Sequence, residues 1–157
     1  MKSRDIVVTA MFTTLYALGV ILLAPISFGI FQIRIADALL PLVMIYGLPV
    51  AFGTCFGCII ANFYGGLGPI DIIGGSIANF LACIIAYIIG RDSRVKRFLG
   101  CLLETIIITI IVGSYLSFIF NVSIEISLLG LFIGSFTSIN ILGFIVLESL
   151  YKIKILK

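Results

Sequence analysis

Apolar runs about as long as a bilayer is thick dominate this chain. Ile6 to Ile26 contains no charged residue, and roughly twenty such residues are what a helix needs to cross the hydrocarbon core. Similar runs fill most of the remainder. Hydrophobic residues make up 62% of the chain and charged ones only 11%, against about a quarter charged in soluble domains. The solvent for most of this sequence is therefore lipid. The most hydrophilic stretch, Arg91 to Arg97, is a single loop, so the chain reads as one integral membrane domain over 1–157 with no separate catalytic or regulatory unit. The basic start Met1-Lys2-Ser3-Arg4 precedes no clean small-residue cleavage site and reads as the flank of a retained first helix.

Hydropathy and turn residues divide the chain into about six spans, 6–26, 35–46, 49–62, 70–89, 98–120 and 126–147, an all-α membrane bundle. The run from Ile35 to Asn62 is too long for one crossing, and Gly47 and Pro49 divide it. The glycine-rich stretch Phe63 to Pro69 forms the next connection. An even count puts both termini on one side. Lys2, Arg4, Arg91, Arg94, Lys96, Arg97, Lys152, Lys154 and Lys157 then share that side and leave Arg34 alone for the other. The positive-inside rule makes the termini cytoplasmic in a multi-pass cell-membrane protein.

Charged groups inside a span cost at least ~2.5–3.5 kcal/mol on insertion scales, which singles out a few residues. Arg34 and Asp37 are three apart and, on a helix, share a face, where they pair or face a polar ligand. Asp71, at the start of the fourth span, suits either a helix cap or a ligand contact. Glu104, near the cytoplasmic end of the fifth, either snorkels to the interface or meets a ligand. Asn62, Asn79 and Asn140 join helices by hydrogen bonds or present amides to a ligand. Small residues also recur at helical spacing. Gly53, Gly57 and Ala61, and Gly130 with Gly134, allow close helix packing, and a stripe through Ala10 and Thr14 on the first span faces either a neighbouring helix or another subunit.

The chain has no histidine, which removes the commonest base and metal ligand. Cys55-Phe56-Gly57-Cys58 has CxxC spacing, but without a second pair it reads as small packing residues in a span, and no metal is expected. No nucleophile and base pair converges, so the chain is not expected to be an enzyme. Its formal charge of +3 sits at helix ends rather than on one exposed face, which argues against nucleic acid.

Three motifs carry a family resemblance. Leu23-Ala24-Pro25-Ile26-Ser27-Phe28-Gly29, then Gln32-Ile33-Arg34-Ile35-Ala36-Asp37-Ala38-Leu39, then Ala61-Asn62 running through Gly65-Gly66-Leu67-Gly68-Pro69-Ile70-Asp71 resemble, in that order, the QueT family. These are substrate-binding S components of energy-coupling factor (ECF) importers associated with queuosine precursors. The resemblance runs from about Thr9 to Tyr87. Asp37 stands where the family usually has Glu, and Gly134-Ser135 where it tends to have Gly-Glu. The resemblance implies an S-component-like bundle that binds 7-aminomethyl- or 7-cyano-7-deazaguanine from outside. Candidate ligand contacts are Arg34, Asp37, Asn62, Tyr64, Asp71, Asn79 and Glu104, with Tyr64 or Phe63 stacking on the base. It also implies a coupling membrane subunit docking on Ala10 and Thr14, and two ATPase subunits. The chain has no GxxxxGK(S/T) phosphate loop, so it holds no ATP or other cofactor of its own in this reading.

An S component for another vitamin or nucleobase fits the same features. A small multidrug exporter fits less well, since such proteins usually have four spans and a central Glu in the first, and here no acid follows Asp5 in the first span. A purely structural membrane subunit leaves the gathering of Arg34, Asp37 and Asp71 on one side without a reason.

Overall fold

The computed structural model describes residues 2–29 and 32–155; of the cations assigned to the terminal side, Lys157 lies outside them. Among the described residues every regular element is helical. Five helices are long and apolar enough to cross a membrane: α1 (Ser3–Leu22), α4 (Leu48–Gly65), α5 (Pro69–Ile89), α6 (Arg94–Phe120) and a last one running through Ile124–Ile153. The last is built from α7 (Ile124–Ser135), a π-helical segment Phe136–Gly143 and α8 (Phe144–Ile155). Between α1 and α4 come a single turn, α2 (Ala24–Ser27), and a short apolar element. That element is a 3₁₀ segment over Ile35–Leu42 that continues as α3 (Val43–Tyr46).

Two of the expected spans change character, and proline is the reason in both. Span 6–26 breaks after Leu22, because Pro25 has no N–H to donate and its ring crowds the carbonyl four residues back. The span at 35–46 is the shorter element, not a full α-helix. Pro41 sits inside it and cannot continue an α ladder, and the tighter 3₁₀ winding takes its place. Gly47, at φ +80°, ends this element in a conformation other residues resist, and Pro49 opens α4 in its first turn. The expected division at Gly47 and Pro49 is thus where the chain turns.

The surface is the reverse of a soluble protein's. Leu22, Phe63, Ile88 and Phe118 are each more than 70% exposed, while Arg34, Asp37, Asn62, Asp71 and Glu104 are buried. Apolar groups outside and polar groups inside are what a lipid solvent selects. The small-residue stripe on α4 packs on α1. A Cβ on Gly53 would lie 2.6 Å from the Phe12 Cβ, and one on Gly57 would lie 2.8 Å from both the Thr13 carbonyl oxygen and the Tyr16 Cβ. The π segment rests on the 3₁₀ segment in the same way, Gly143 lying against Ala38 and Pro41.

At the end carrying both termini, the Arg97 Nε donates to Glu148 Oε1 at 2.5 Å, and the Arg97 guanidinium stacks 3.8 Å from the Tyr151 ring centroid. Arg94 approaches the other oxygen of Glu148 at 3.7 Å. These contacts tie the start of α6 to α8. In the first turn of α6, the Lys96 ammonium bonds back to Asp92 in the α5–α6 loop and holds its carboxyl below the usual range.

Candidate functional site

The far halves of the helices enclose a buried polar centre around Arg34. This residue precedes the 3₁₀ segment and is 5% exposed. Its Nη2 lies 3.9 Å from Asp71 Oδ1, its Nε donates to the Ser27 carbonyl at 3.3 Å, and its Nη1 points to the Cys58 sulfur at 3.8 Å. Phe28 lies beside the guanidinium, 5.4 Å from its carbon to the ring centroid. Phe28 can lie there because Gly65 leaves room: a Cβ on Gly65 would sit 2.3 Å from the ring.

Asp71 does not cap α5. Its carboxylate turns inward, taking the Arg34 pair and a 2.9 Å hydrogen bond from the Tyr115 hydroxyl on α6. Asn62 of α4 donates to the Asp71 backbone carbonyl at 2.7 Å, so that amide joins two helices. Asp37 is not the ion-pair partner of Arg34 either. The 3₁₀ winding directs it to α1, where the Tyr16 hydroxyl donates to its Oδ1 at 2.6 Å.

A second buried polar group lies deeper in the bundle. Glu104 does not snorkel: it is fully buried, ten residues into α6, or about 15 Å along the axis. Next to it on α6, Thr105 donates to Asn140 Oδ1 of the π segment at 2.6 Å. Cys83 on α5 is within electrostatic reach of Glu104, and Asp37 is too. Asn79 lies one turn from Cys83 on the same face of α5.

Many of these buried atoms find no hydrogen-bond partner among the described residues. Around Arg34 they are Ser27 Oγ, Gln32 Nε2, Asn62 Oδ1 and Asp71 Oδ2; deeper, they are both Glu104 oxygens and the side-chain nitrogens of Asn79 and Asn140. Unpaired buried polar atoms are costly, and such atoms call for a partner, either water or a bound polar group. Gln32 adds strain, since it is 2% exposed with φ +32°, a backbone region that non-glycine residues seldom occupy.

Tyr64 and Phe63 stand outside this centre, 63% and 78% exposed at the end of α4. The ring at the guanidinium is that of Phe28. Ala10 and Thr14 face outward from α1 and line, with Val7, Met11 and Leu15, an open apolar groove of about 460 Å³. The four cysteines are free thiols. Tyr16, Ser27, Gln32 and Tyr115 belong to this buried polar group without having been named as contacts from the sequence, and Cys58, read there as a packing residue, lies against the guanidinium. Gln32 and Ser27 lie within the family motifs quoted above, whereas the two tyrosines lie in apolar runs that mark them only as span residues.

Five helices long and apolar enough to cross a membrane, with polar groups gathered in the interior and apolar ones outside, make this a multi-pass helical membrane protein. The model of a family described as QueT transporter matches residues 6–152. The chain belongs to the QueT transporter family. The match takes in α6 to α8, well beyond the motifs in the first half. Neither the curated proteins nor the solved structures include a match.

Proposed function

We propose that this chain is the substrate-binding S component of an ECF-type importer, and that it takes up a queuosine precursor, 7-aminomethyl- or 7-cyano-7-deazaguanine. The observation that carries the reading is the buried Arg34–Asp71 pair with its unused atoms. Asp71 Oδ2 and Asn62 Oδ1 are acceptors, while Gln32 Nε2 and the Arg34 guanidinium are donors. A guanine-like edge presents the complement: ring N–H and amino donors for the carboxylate, and a carbonyl oxygen for the guanidinium. Phe28, already beside Arg34, offers a ring face to the flat base. Tyr64 is too exposed to serve without moving inward.

Energy for uptake comes from partners in this reading. Two ATPase subunits hydrolyse ATP, and a coupling membrane subunit docks on the groove at Ala10 and Thr14, with the termini in the cytoplasm. The outward exposure of that stripe supports the docking role. Titration calorimetry on the purified chain tests the proposal, with tight binding of a deazaguanine as the expected result. Binding of a different vitamin or base, with no deazaguanine bound, would overturn the substrate assignment.

A further inference from the structure

A groove of about 330 Å³ runs between α1, the short element and α8, and it shares no residue with the polar centre. Arg4, Val8, Met11 and Leu15 line it at spacings of four, three and four, which is one face of α1. Leu39 and Leu42 form the opposite wall, three apart and so on one face of the 3₁₀ winding, and Tyr46 continues it one α-turn further on. The walls are apolar except at one end. There Arg4, in the first turn of α1, is exposed and has no hydrogen-bond or ion-pair partner among the described residues. Its neighbour Asp5 lines a different recess with Leu48, Pro49 and Phe52, so no carboxylate opposes a negative charge in this groove. Arg94, which lines an apolar recess beside Phe98 and Phe144, differs in being engaged by Glu148 at 3.7 Å. The length of the groove also matters. Arg4 to Leu15 is about 16 Å along the α1 axis, close to half of a hydrocarbon core about 30 Å thick. A partner's spanning helix would need a groove running on beyond Leu15, whereas one leaflet's acyl chain ends at the midplane.

We propose that this groove binds an anionic phospholipid from the leaflet at the end carrying the termini, with one acyl chain along Val8, Met11 and Leu15 and the phosphate at the Arg4 guanidinium. A guanidinium matches phosphate oxygens in bidentate fashion. A lipid with net negative charge keeps that attraction, while a zwitterionic one of the same chain length offsets it with its own headgroup cation. Met11 and Leu15 also line the outward groove at Ala10 and Thr14, so the bound lipid borders that face without filling it. The inference holds whatever ligand the polar centre takes.

Native mass spectrometry on the purified full chain, offered phosphatidylglycerol and phosphatidylcholine with the same acyl chains, tests it. The wild type should retain phosphatidylglycerol about 5-fold more tightly, the preference that one cation near the membrane surface supplies. Arg4→Gln should remove that preference, Arg4→Lys should keep it, and Arg94→Gln should leave it unchanged. Leu39→Trp, which fills the groove, should lower retention of both lipids about 3-fold or more. Equal retention of the two lipids by the wild type, or a preference that survives Arg4→Gln, would overturn the inference. So would a Leu39→Trp chain that retains lipid as the wild type does but no longer co-purifies with the coupling subunit, since the groove would then belong to a protein partner. If Leu39→Trp does not fold, the Arg4 variants decide, because that side chain is exposed.

Discussion

Arg34 and Asp71 meet 3.9 Å apart inside the bundle, joining the start of the 3₁₀ segment to the first turn of α5. Both are buried, so Asp71 depends on Arg34 and on the hydroxyl of Tyr115, and Arg34 on Asp71 and on the Ser27 carbonyl. Breaking one side of such a buried pair typically costs about 3–5 kcal/mol, because the remaining charge is left uncompensated. Asp71→Asn and Arg34→Met should therefore each lower the thermal stability of the purified chain in detergent. The double variant should be less damaged than the sum, with a coupling of about 0.5–3 kcal/mol. Strictly additive losses would show that the pair does not interact.

Tyr115→Phe removes one donor from Asp71 without changing the packing volume. Leaving a buried acceptor short of its bond costs about 1–3 kcal/mol. The expected outcome is a modest loss of stability, together with weaker deazaguanine binding, because the carboxylate loses the contact that orients it. Calorimetry and a melting curve on the same preparation read both effects.

Gly57→Leu should reach the site indirectly. Even a Cβ at Gly57 would stand 2.8 Å from the Tyr16 Cβ and from the Thr13 carbonyl oxygen, so a larger side chain must push α1 and α4 apart. Tyr16 would then be drawn away from Asp37. Overpacking of this kind costs about 1–3 kcal/mol. A melting temperature unchanged from wild type would show that the helices separate freely.

Substitutions on the opposite face of α1 should leave the site alone. Ala10→Trp and Thr14→Leu fill the outward groove and touch none of the residues around Arg34. Ligand binding should be unchanged, while co-purification with the coupling subunit and uptake by cells should be lost. Loss of ligand binding with assembly retained would assign the groove to the site instead.

The orientation can be read by labelling. A single cysteine at Ser93, in a chain with its own four cysteines replaced, should react with an impermeant thiol reagent only after the cells are opened, and one at Gly66 should react in intact cells. The reverse pattern would place the termini outside.

Much of the architecture was legible without coordinates, because a bilayer imposes its thickness on every span and leaves few places for charge. The runs that became α4, α5 and α6 extend by only a few residues beyond their expected bounds, and Gly47 and Pro49 marked a turn that φ +80° at Gly47 confirms. Gly53 and Gly57 read as packing residues, and α1 approaches α4 closely at both. The polar residues worth attention were also legible, since Arg34, Asp37, Asn62, Asp71, Asn79 and Glu104 are conspicuous in apolar surroundings and all are buried.

Who meets whom was decided by the tertiary structure. Spacing suggested that Arg34 pairs with Asp37, but that holds only for a regular α-helix, and the 3₁₀ winding around Pro41 sends Asp37 to Tyr16 and leaves Arg34 for Asp71. The direction of Glu104 was equally out of reach: whether a carboxylate ten residues into α6 bends back to the interface or faces the interior depends on the rotation of that helix, which its neighbours set. Sequence determines which segments enter the lipid because hydropathy is local and additive. The pairing of charges within the bundle depends on helix rotation and winding, which follow from packing between segments far apart in the chain.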